Sequence, residues 1–435
     1  NLMGYYGSLR WHESLRSFDA GAAIQTTFVV YGVPRMGEGL TPVEEARQLL
    51  MAAAEVEHTL MVQYLYAAYS ALNTIPEALG AIVNVAIEEM GHFITVQNLL
   101  LLIGGDPHLD RADDPAGRPG AEPFPFFLEP LSTRSLAKYL LAEMPAEGVL
   151  AQGSEDAKAV DDALRELSGG ASVLRVGLIY STISWMFQAA DSGGDPDLVP
   201  DAAVFPAGRR LAEEDFVAAT QLQLRQTTAD DWGAGPDLVP SVTSRAEALA
   251  AIRQIASQGE GIGHASQSHF GVFAGLYRKA RGAAAVGADA SPADVTCPVA
   301  LEWMRYLDIR YTMLLADIRH GLWLPADDAM RQTIFQDWAI ANEMRYAIGQ
   351  LGPRIMKMPK AAGSPRFAGP AFRRVAEFPD SAEGMWALHR QLIEQAEATA
   401  RGIDPGGSDP FLTACRQFDQ ARLIDVIEPA LKGRS

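Results

Sequence analysis

The sequence of 435 residues is poor in cysteine and histidine, and this scarcity limits the kinds of site that it can build. Cys297 and Cys415 are its two cysteines, and it has 8 histidines. Two distant cysteines form neither a disulfide framework nor a cysteine-held zinc or iron–sulfur site. Motifs for nucleotide binding, for serine hydrolases and for zinc sites of the His-Glu-x-x-His type are also absent. Any metal in this protein must therefore be held by carboxylates and imidazoles.

Basic residues are few relative to acidic ones. The chain has 36 lysines and arginines against 54 aspartates and glutamates, which gives a formal net charge of -18. Nucleic acids and anionic membrane surfaces bind basic patches, so neither is expected as a partner. The hydrophobic fraction of 48% and the charged fraction of 21% are those of a globular protein rather than a disordered chain.

No targeting segment is expected, because the N-terminal residues lack the basic and apolar regions of a signal peptide. The apolar stretch 78–102 is long enough to cross a bilayer. Its centre, however, holds Glu88, Glu89 and His92, and charged side chains are costly there in lipid. We therefore expect this stretch to be a buried helix of a soluble, cytoplasmic protein.

Helical periodicity dominates the chain. Thr41-Pro42 followed by Glu44 and Glu45 is typical of a helix start, and Gly104-Gly105 is typical of a helix end. Helices are predicted at about 41–72, 77–103, 132–143, 155–167, 171–190, 243–258, 269–281, 295–322, 329–357 and 382–402. A short strand is predicted near 26–31. The sequence thus predicts an all-α protein with an irregular lead-in (1–40), a helical domain (41–285) and a C-terminal helical region packed on it (286–435).

The second predicted helix carries the strongest chemical signal. Glu89 and His92 are separated by three positions, which places them on one face of the helix, one turn apart. This is the Glu-x-x-His unit from which helical bundles build carboxylate-bridged iron or manganese centres. A buried Glu–His hydrogen-bonded pair without a metal is the alternative.

The first predicted helix has Glu55, Glu57 and His58 within an otherwise apolar segment. Glu57 shares a face with core-type residues, among them Tyr64. Buried carboxylates need compensation, and a metal shared with the second helix would supply it. Glu55 and His58 are also three positions apart, so the sequence leaves open whether they or Glu57 point inward.

Three further positions extend the set of candidate ligands. Glu260, His264 and His269 lie where glycines interrupt a predicted helix, so that the backbone could bend around a ligand. Glu143 is a fourth candidate carboxylate, although a glutamate at a helix end is more often exposed to solvent. Asp317 and His320 are interpreted as a local hydrogen-bonded pair, and His12, His108 and His389 are predicted to be structural or surface residues.

Several sequence segments, in the same order along the chain, resemble those of one family. Glu55-Val-Glu57-His58, Ala86-Ile-Glu88-Glu89-Met90-Gly-His92, Ile103-Gly-Gly-Asp-Pro107 and Ser268-His269-Phe270 are similar to the ferritin-like domain of imine-dimerising oxidases from violacein- and rebeccamycin-type indole alkaloid pathways, the iminophenyl-pyruvate dimer synthases. The resemblance runs from about residue 45 to residue 375.

The resemblance implies a ferritin-like four-helix bundle with long irregular loops and a C-terminal helical extension. It also implies an iron site between helices, with the ligands Glu57, Glu89, His92, Glu260 and His269 and with Glu143 as an additional candidate. The sequence departs from the family at Val176-Gly-Leu178-Ile-Tyr180, where relatives tend to have glutamate in place of Leu178. We therefore expect a mononuclear or asymmetric dinuclear centre.

The function that follows is a non-haem iron-dependent oxidase or oxygenase in secondary metabolism. Its expected partners are a small amino-acid-derived metabolite and dioxygen, with other enzymes of the same pathway as further candidates. Tyr64 is a candidate catalytic residue, either as a donor to the metal ligands or as a redox-active phenol; an ordinary core tyrosine is the alternative. A catalytically degenerate ferritin-like protein with a structural or partner-stabilising role is the rival function.

Overall fold

The computed structural model describes residues 39–111, 128–145, 150–167, 175–198, 207–222, 226–235, 237–260 and 267–433. These residues separate into two compact units. The N-terminal unit comprises the chain up to Thr228 together with Gly235–Gly287, and the C-terminal unit comprises Ala229–Ala234 together with Ala288–Ser435. The strand predicted near 26–31 lies outside the described residues.

The N-terminal unit is built from helices that agree with the sequence prediction to within two residues, except that the helix predicted at 171–190 spans Gly177–Phe187. They are α1 (Pro42–Ser70), α2 (Ala78–Leu102), α3 (Thr133–Ala142), α4 (Glu155–Leu167), α5 (Gly177–Phe187), α6 (Arg245–Glu260) and α7 (His269–Ala280). Single turns of helix lie at Ala207–Arg209, Glu213–Asp215 and Ala219–Leu222. The prediction of an all-α fold is confirmed.

Helix α1 begins where the sequence predicts because local groups satisfy its first backbone donors. The Thr41 hydroxyl accepts from the backbone N–H of Glu44, and the Glu44 carboxylate accepts from the backbone N–H of Thr41 at 2.8 Å. Such a reciprocal cap stabilises a helix start by about 1 kcal/mol. Pro42 adds a backbone already restricted to the helical φ.

Four helices close a bundle in the N-terminal unit. Helix α1 packs along α2 and against α5, and α6 packs against α5 and α2. Helix α2 has the length and apolarity of a membrane span, but 61% of its most apolar window is buried inside the protein. One close contact explains a glycine in this helix, because a Cβ atom on Gly91 would lie 2.5 Å from the backbone oxygen of Leu238.

The C-terminal unit is also helical, apart from one short parallel pair of strands. Its first helical turn is Ala229–Trp232. The remaining elements are β1 (Ala290–Ser291), α8 (Pro298–Trp323), α9 (Ala329–Gln332, π-helical Thr333–Ile348 and Gly349–Ile355), β2 (Phe367–Ala368), α10 (Ala382–Ile403) and α11 (Pro410–Arg422, π-helical Leu423–Ile427 and Glu428–Lys432). Strand register pairs Ala290 with Phe367 and Ser291 with Ala368.

Helix α11 was not predicted from the sequence, although its first residues carry a helix-start signal. Asp409 caps the helix by accepting from the backbone N–H groups of Phe411 and Leu412, and Pro410 occupies the first turn. An aspartate followed by proline is the same kind of helix start as Thr41-Pro42.

The core of the C-terminal unit contains a buried network of charges. Arg310 donates two hydrogen bonds to Glu343, at 2.8 and 2.7 Å, and a third to Asp419 at 2.6 Å. Arg422 donates to the same two carboxylates at 3.1 and 3.0 Å. All four side chains are buried. These bonds join α8, α9 and α11 through the centre of the unit.

The expected local pair of Asp317 and His320 was wrong. His389 from α10 lies between them: its Nε2 is 2.9 Å from His320 Nδ1, and its Nδ1 is 3.6 Å from Asp317 Oδ1. All three side chains are buried. The partner comes from another helix, which spacing along α8 could not reveal.

Candidate functional site

The predicted site residues of the N-terminal unit converge on the interior of the bundle. Helix α1 supplies Glu57 and Tyr64, and α2 supplies Glu89 and His92. The other three lie at helix ends: Glu143 after α3, Glu260 at the last position of α6, and His269 at the first position of α7. All seven side chains are buried.

A small cavity lies among these residues. Its volume is about 10 Å³, room for a single water-sized particle. The polar part of its wall is Glu57, Glu89, His92, Glu143, Tyr180 and Glu260, and the rest is Val176, Gly177, Ile255, Ala256 and Gly259. Carboxylates from four different segments thus face one space that is too small for an organic molecule.

Glu89 is at the centre of the cluster. Its Oε2 lies 2.9 Å from Nδ1 of His92, and its Oε1 lies 2.8 Å from Nδ1 of His269. Potential ligand atoms of these three residues all lie within 4.8 Å of one another. Glu57 Oε2 is 3.7 Å from His92 Nδ1, and Glu143 Oε2 is 3.8 Å from His269 Nδ1. The arrangement is compatible with one cation held by several of these side chains.

Both imidazoles turn the same ring nitrogen toward the cluster. Nε2 of His92 contacts the Gln258 side-chain oxygen at 2.8 Å, and Nε2 of His269 contacts the Glu88 carboxylate at 2.8 Å. An acceptor at Nε2 fixes the proton there and leaves Nδ1 available as a ligand atom. The orienting roles of Gln258 and Glu88 were not predicted from the sequence, because each contact joins different helices.

Three donors hold the outer carboxylates. The Tyr64 hydroxyl donates to Glu143 Oε1 at 2.6 Å, and the Tyr180 hydroxyl donates to Glu57 Oε1. Arg175 donates to Glu260 Oε1 at 2.9 Å. Tyr180 and Arg175 were not identified from the sequence. The solvent-exposed alternative for Glu143 was wrong, since α7 and the end of α6 cover its side chain.

Three buried polar atoms of the cluster have no hydrogen-bond partner among the described residues. They are Glu57 Oε2, Glu89 Oε1 and His269 Nδ1. The last two are 2.8 Å apart, but their relative orientation is not that of a hydrogen bond. Buried polar groups are normally satisfied, so unsatisfied atoms within one buried cluster indicate a missing ligand. Carboxylate oxygens and imidazole nitrogens suit iron, manganese or zinc, and the residues therefore fit a metal ion.

The electrostatics of the cluster follow from burial and close pairing. Burial raises the pKa of Glu57 to about 8, and the nearby Glu89 charge adds to the rise. Burial alone would lower the pKa of His92, but the Glu89 and Glu57 carboxylates together outweigh it and raise this pKa to about 10. Burial also lowers the pKa of His269, but the carboxylates of Glu89, Glu143 and Glu88 together outweigh it and raise this pKa well above the usual range. Without a metal, both imidazoles are therefore protonated on both ring nitrogens and positively charged at neutral pH.

The structure decides which acid of α1 faces the cavity. Glu57 lines it, whereas Glu55 contacts His108 Nε2 at 2.7 Å. His58 is buried and packs on Phe93, with the ring centroids 5.1 Å apart. His264 lies outside the described residues.

The profile of the ferritin-like family matches residues 50–278, which is more than half of the chain. The protein belongs to the ferritin-like family. Comparison with curated proteins and with solved structures gave no match. The ferritin-like match includes every residue of the cluster, and family and cluster together are compatible with a non-haem iron protein.

The position where the resemblance to imine-dimerising oxidases implies a glutamate is not part of the cavity wall. Leu178 is completely buried in α5 but does not line the cavity. Its neighbours Gly177 and Tyr180 on the same helix do. Helix α5 therefore contributes to the cluster through a close backbone approach and a phenol rather than through a carboxylate.

Proposed function

We propose that the protein is a non-haem iron-dependent oxidase or oxygenase that acts with dioxygen on a small amino-acid-derived metabolite. The observation that carries this proposal is the buried group Glu89, His92 and His269, whose potential ligand atoms lie within 4.8 Å of one another, with Glu89 Oε1 and His269 Nδ1 unsatisfied among the described residues. The sequence segments around Glu57 and Glu89 are similar to those of imine-dimerising oxidases. This similarity supports the proposed substrate class and a role in secondary metabolism.

Each residue of the cluster has a separate task in this proposal. Glu89, His92 and His269 would hold iron, and Glu57 and Glu143 are near enough to add ligands. Bound iron would supply one-electron chemistry with dioxygen. Gln258 and Glu88 orient the imidazoles. The apolar side chains of the bundle exclude bulk water from the site.

A metal-free structural role is the second candidate. One observation favours it: hydrogen bonds from Tyr180 and Arg175 already occupy one oxygen each of Glu57 and Glu260. A ferritin-like bundle stabilised in this way could support a partner enzyme without catalysis of its own. The two candidates differ in what metal removal would do.

The test is to purify the protein from iron-supplemented medium and to measure iron per chain and iron-dependent oxygen consumption with amino acids and their imino and keto derivatives. The oxidase proposal expects about one iron per chain and substrate-stimulated oxygen uptake that a chelator stops. Less than about a tenth of a metal per chain after reconstitution would reject it in favour of the structural role.

Tyr64 should act through Glu143. Tyr64→Phe removes the donor and leaves a buried carboxylate oxygen unsatisfied, so metal affinity should fall by about 10–100-fold. The affinity can be measured by competition with a chelator. Tyr139→Phe is a matched control, because the Tyr139 ring lies 4.9 Å from that of Tyr64 and its hydroxyl has no hydrogen-bond partner among the described residues. Equal affinities of the two variants would contradict this role.

Metal affinity should increase with pH. The pKa values of His92 and His269 are raised, so both rings are protonated at neutral pH and a metal ion must displace these protons. Uptake at about pH 7 should therefore release about two protons per ion. Calorimetric titration in buffers of different ionisation enthalpy measures this number. Affinity that does not change between about pH 6 and about pH 8 would contradict the expectation.

A further inference from the structure

The two sides of the cluster are built differently. On one side, Glu89 and His92 line the cavity, and Glu89 Oε1 and His269 Nδ1 have no hydrogen-bond partner among the described residues. On the other side, Arg175 precedes α5 and is completely buried, and its guanidinium contacts Glu260 Oε1 at 2.9 Å. A buried arginine is costly unless a carboxylate compensates it, so the Arg175–Glu260 pair is a fixed part of the interior.

Local packing holds the Glu260 carboxylate on the α5 side. A Cβ atom on Gly177 would lie 1.2 Å from Glu260 Oε1, so only a glycine at this position lets the carboxylate approach α5. Two residues before Gly177, Arg175 supplies the cation for that carboxylate. The sequence around the start of α5 is thus shaped for Glu260 and a guanidinium.

Helix α5 also offers nothing else that could hold a second metal ion. Bundles with two metals use a glutamate from each of two helices and a Glu-x-x-His unit from each of the other two. Here α1 supplies Glu57 and α2 supplies Glu89 with His92, but α5 contains no acidic residue. Its nearest polar group is the Tyr180 hydroxyl, which donates to Glu57.

We propose that the Arg175 guanidinium takes the place of a second metal cation, so that the centre binds one metal ion and Glu260 is not among its ligands. This inference rests on the proposed metal site and specifies its stoichiometry. A single guanidinium neutralises Glu260, and its positive charge repels a divalent cation from the same position. The prediction from sequence that Glu260 is a ligand is replaced by a role as partner of Arg175.

The experiment is an anaerobic titration with Co²⁺ alone, monitored by the absorption spectrum. The metal bound per chain is then measured after gel filtration. The wild-type protein should bind about one equivalent. The double variant Arg175→Ala/Tyr180→Glu removes the guanidinium and supplies a carboxylate at a position of α5 that lines the cavity, and it should bind about two. Arg175→Lys keeps a cation and should stay at one. Arg253→Ala, at a half-exposed arginine of α6 that pairs with Asp195, is the control and should also stay at one.

A second variant keeps the test decisive if the double variant does not fold. Glu260→Gln retains an oxygen that can accept from Arg175, so the Co²⁺ affinity of the wild-type site should change less than about tenfold. The inference would be overturned by two equivalents of Co²⁺ in the wild type or by one equivalent in a folded double variant. A loss of Co²⁺ affinity of more than about 100-fold in Glu260→Gln would also overturn it. Each of these results would leave the proposed metal site itself intact. No Co²⁺ or iron bound by the wild type would overturn the proposed function itself, and the inference with it.

Discussion

Replacing Glu89 with alanine should reduce the metal content of the reconstituted protein from about one equivalent to less than about a tenth. Glu89 contacts both imidazoles of the cluster, since one carboxylate oxygen lies 2.9 Å from His92 and the other 2.8 Å from His269. Its removal deletes one ligand and also leaves both imidazoles without the neighbouring charge that holds them. His92→Ala should have the same effect, because it removes the other half of the Glu-x-x-His unit.

The measurement is metal per chain after anaerobic reconstitution and desalting, with helical content checked by circular dichroism. Glu214→Ala is the control, because it removes an exposed carboxylate far along the chain from the cluster. A full equivalent of metal in both Glu89→Ala and His92→Ala would show that the ion is held elsewhere, and the ligand assignment would then be wrong.

The second large effect concerns the C-terminal unit. Arg310→Met should lower its free energy of unfolding by about 3–5 kcal/mol, because it leaves the buried carboxylates Glu343 and Asp419 without their main partner. Arg310 alone donates three of the hydrogen bonds that these carboxylates accept. Urea unfolding followed by tryptophan fluorescence suits the measurement, since Trp338 and Trp386 are buried in this unit.

Two further sets of substitutions serve as controls for this prediction. Arg253→Met removes a half-exposed arginine and should cost less than about 1 kcal/mol. Replacing Arg310 and both carboxylates together by apolar residues of similar volume should recover most of the loss, because the desolvation of the charges disappears with them. An Arg310→Met protein as stable as the wild type would show that the network contributes nothing to stability.

The parts of the fold that could be predicted from sequence are those that local chemistry determines. The start of α1 depends on Thr41, Pro42 and Glu44, which are near neighbours in the chain. The all-α class follows from repeated helical periodicity in the same way. Helix α11 was not predicted, although its start has an equally local signal in the Asp409 cap and Pro410.

The parts of the site that could not be predicted depend on contacts between distant segments. Tyr180 and Glu57 are 123 positions apart, His92 and Gln258 are 166, and Arg175 and Glu260 are 85. Such pairs depend on how side chains of neighbouring helices interlock, and no spacing rule within one helix contains that information. The predicted ligands do meet in space, whereas their binding of a metal stays a prediction.

The choice between Glu55 and Glu57 shows the same limit on a small scale. Both acids lie in one turn of α1, and the helical pattern allows either to face the core. The structure separates them because His108, from the segment after α2, takes Glu55 away from the cavity.

The protons on the two imidazoles have a consequence for how the protein is made. With Arg175 and two imidazoliums near the buried carboxylates, the interior of the bundle is electrically compensated before any ion arrives. Folding then does not have to wait for metal, unlike in small zinc domains that are unfolded without it. We therefore expect a newly made chain to complete its bundle first and, if the proposed function holds, to take up its metal afterwards.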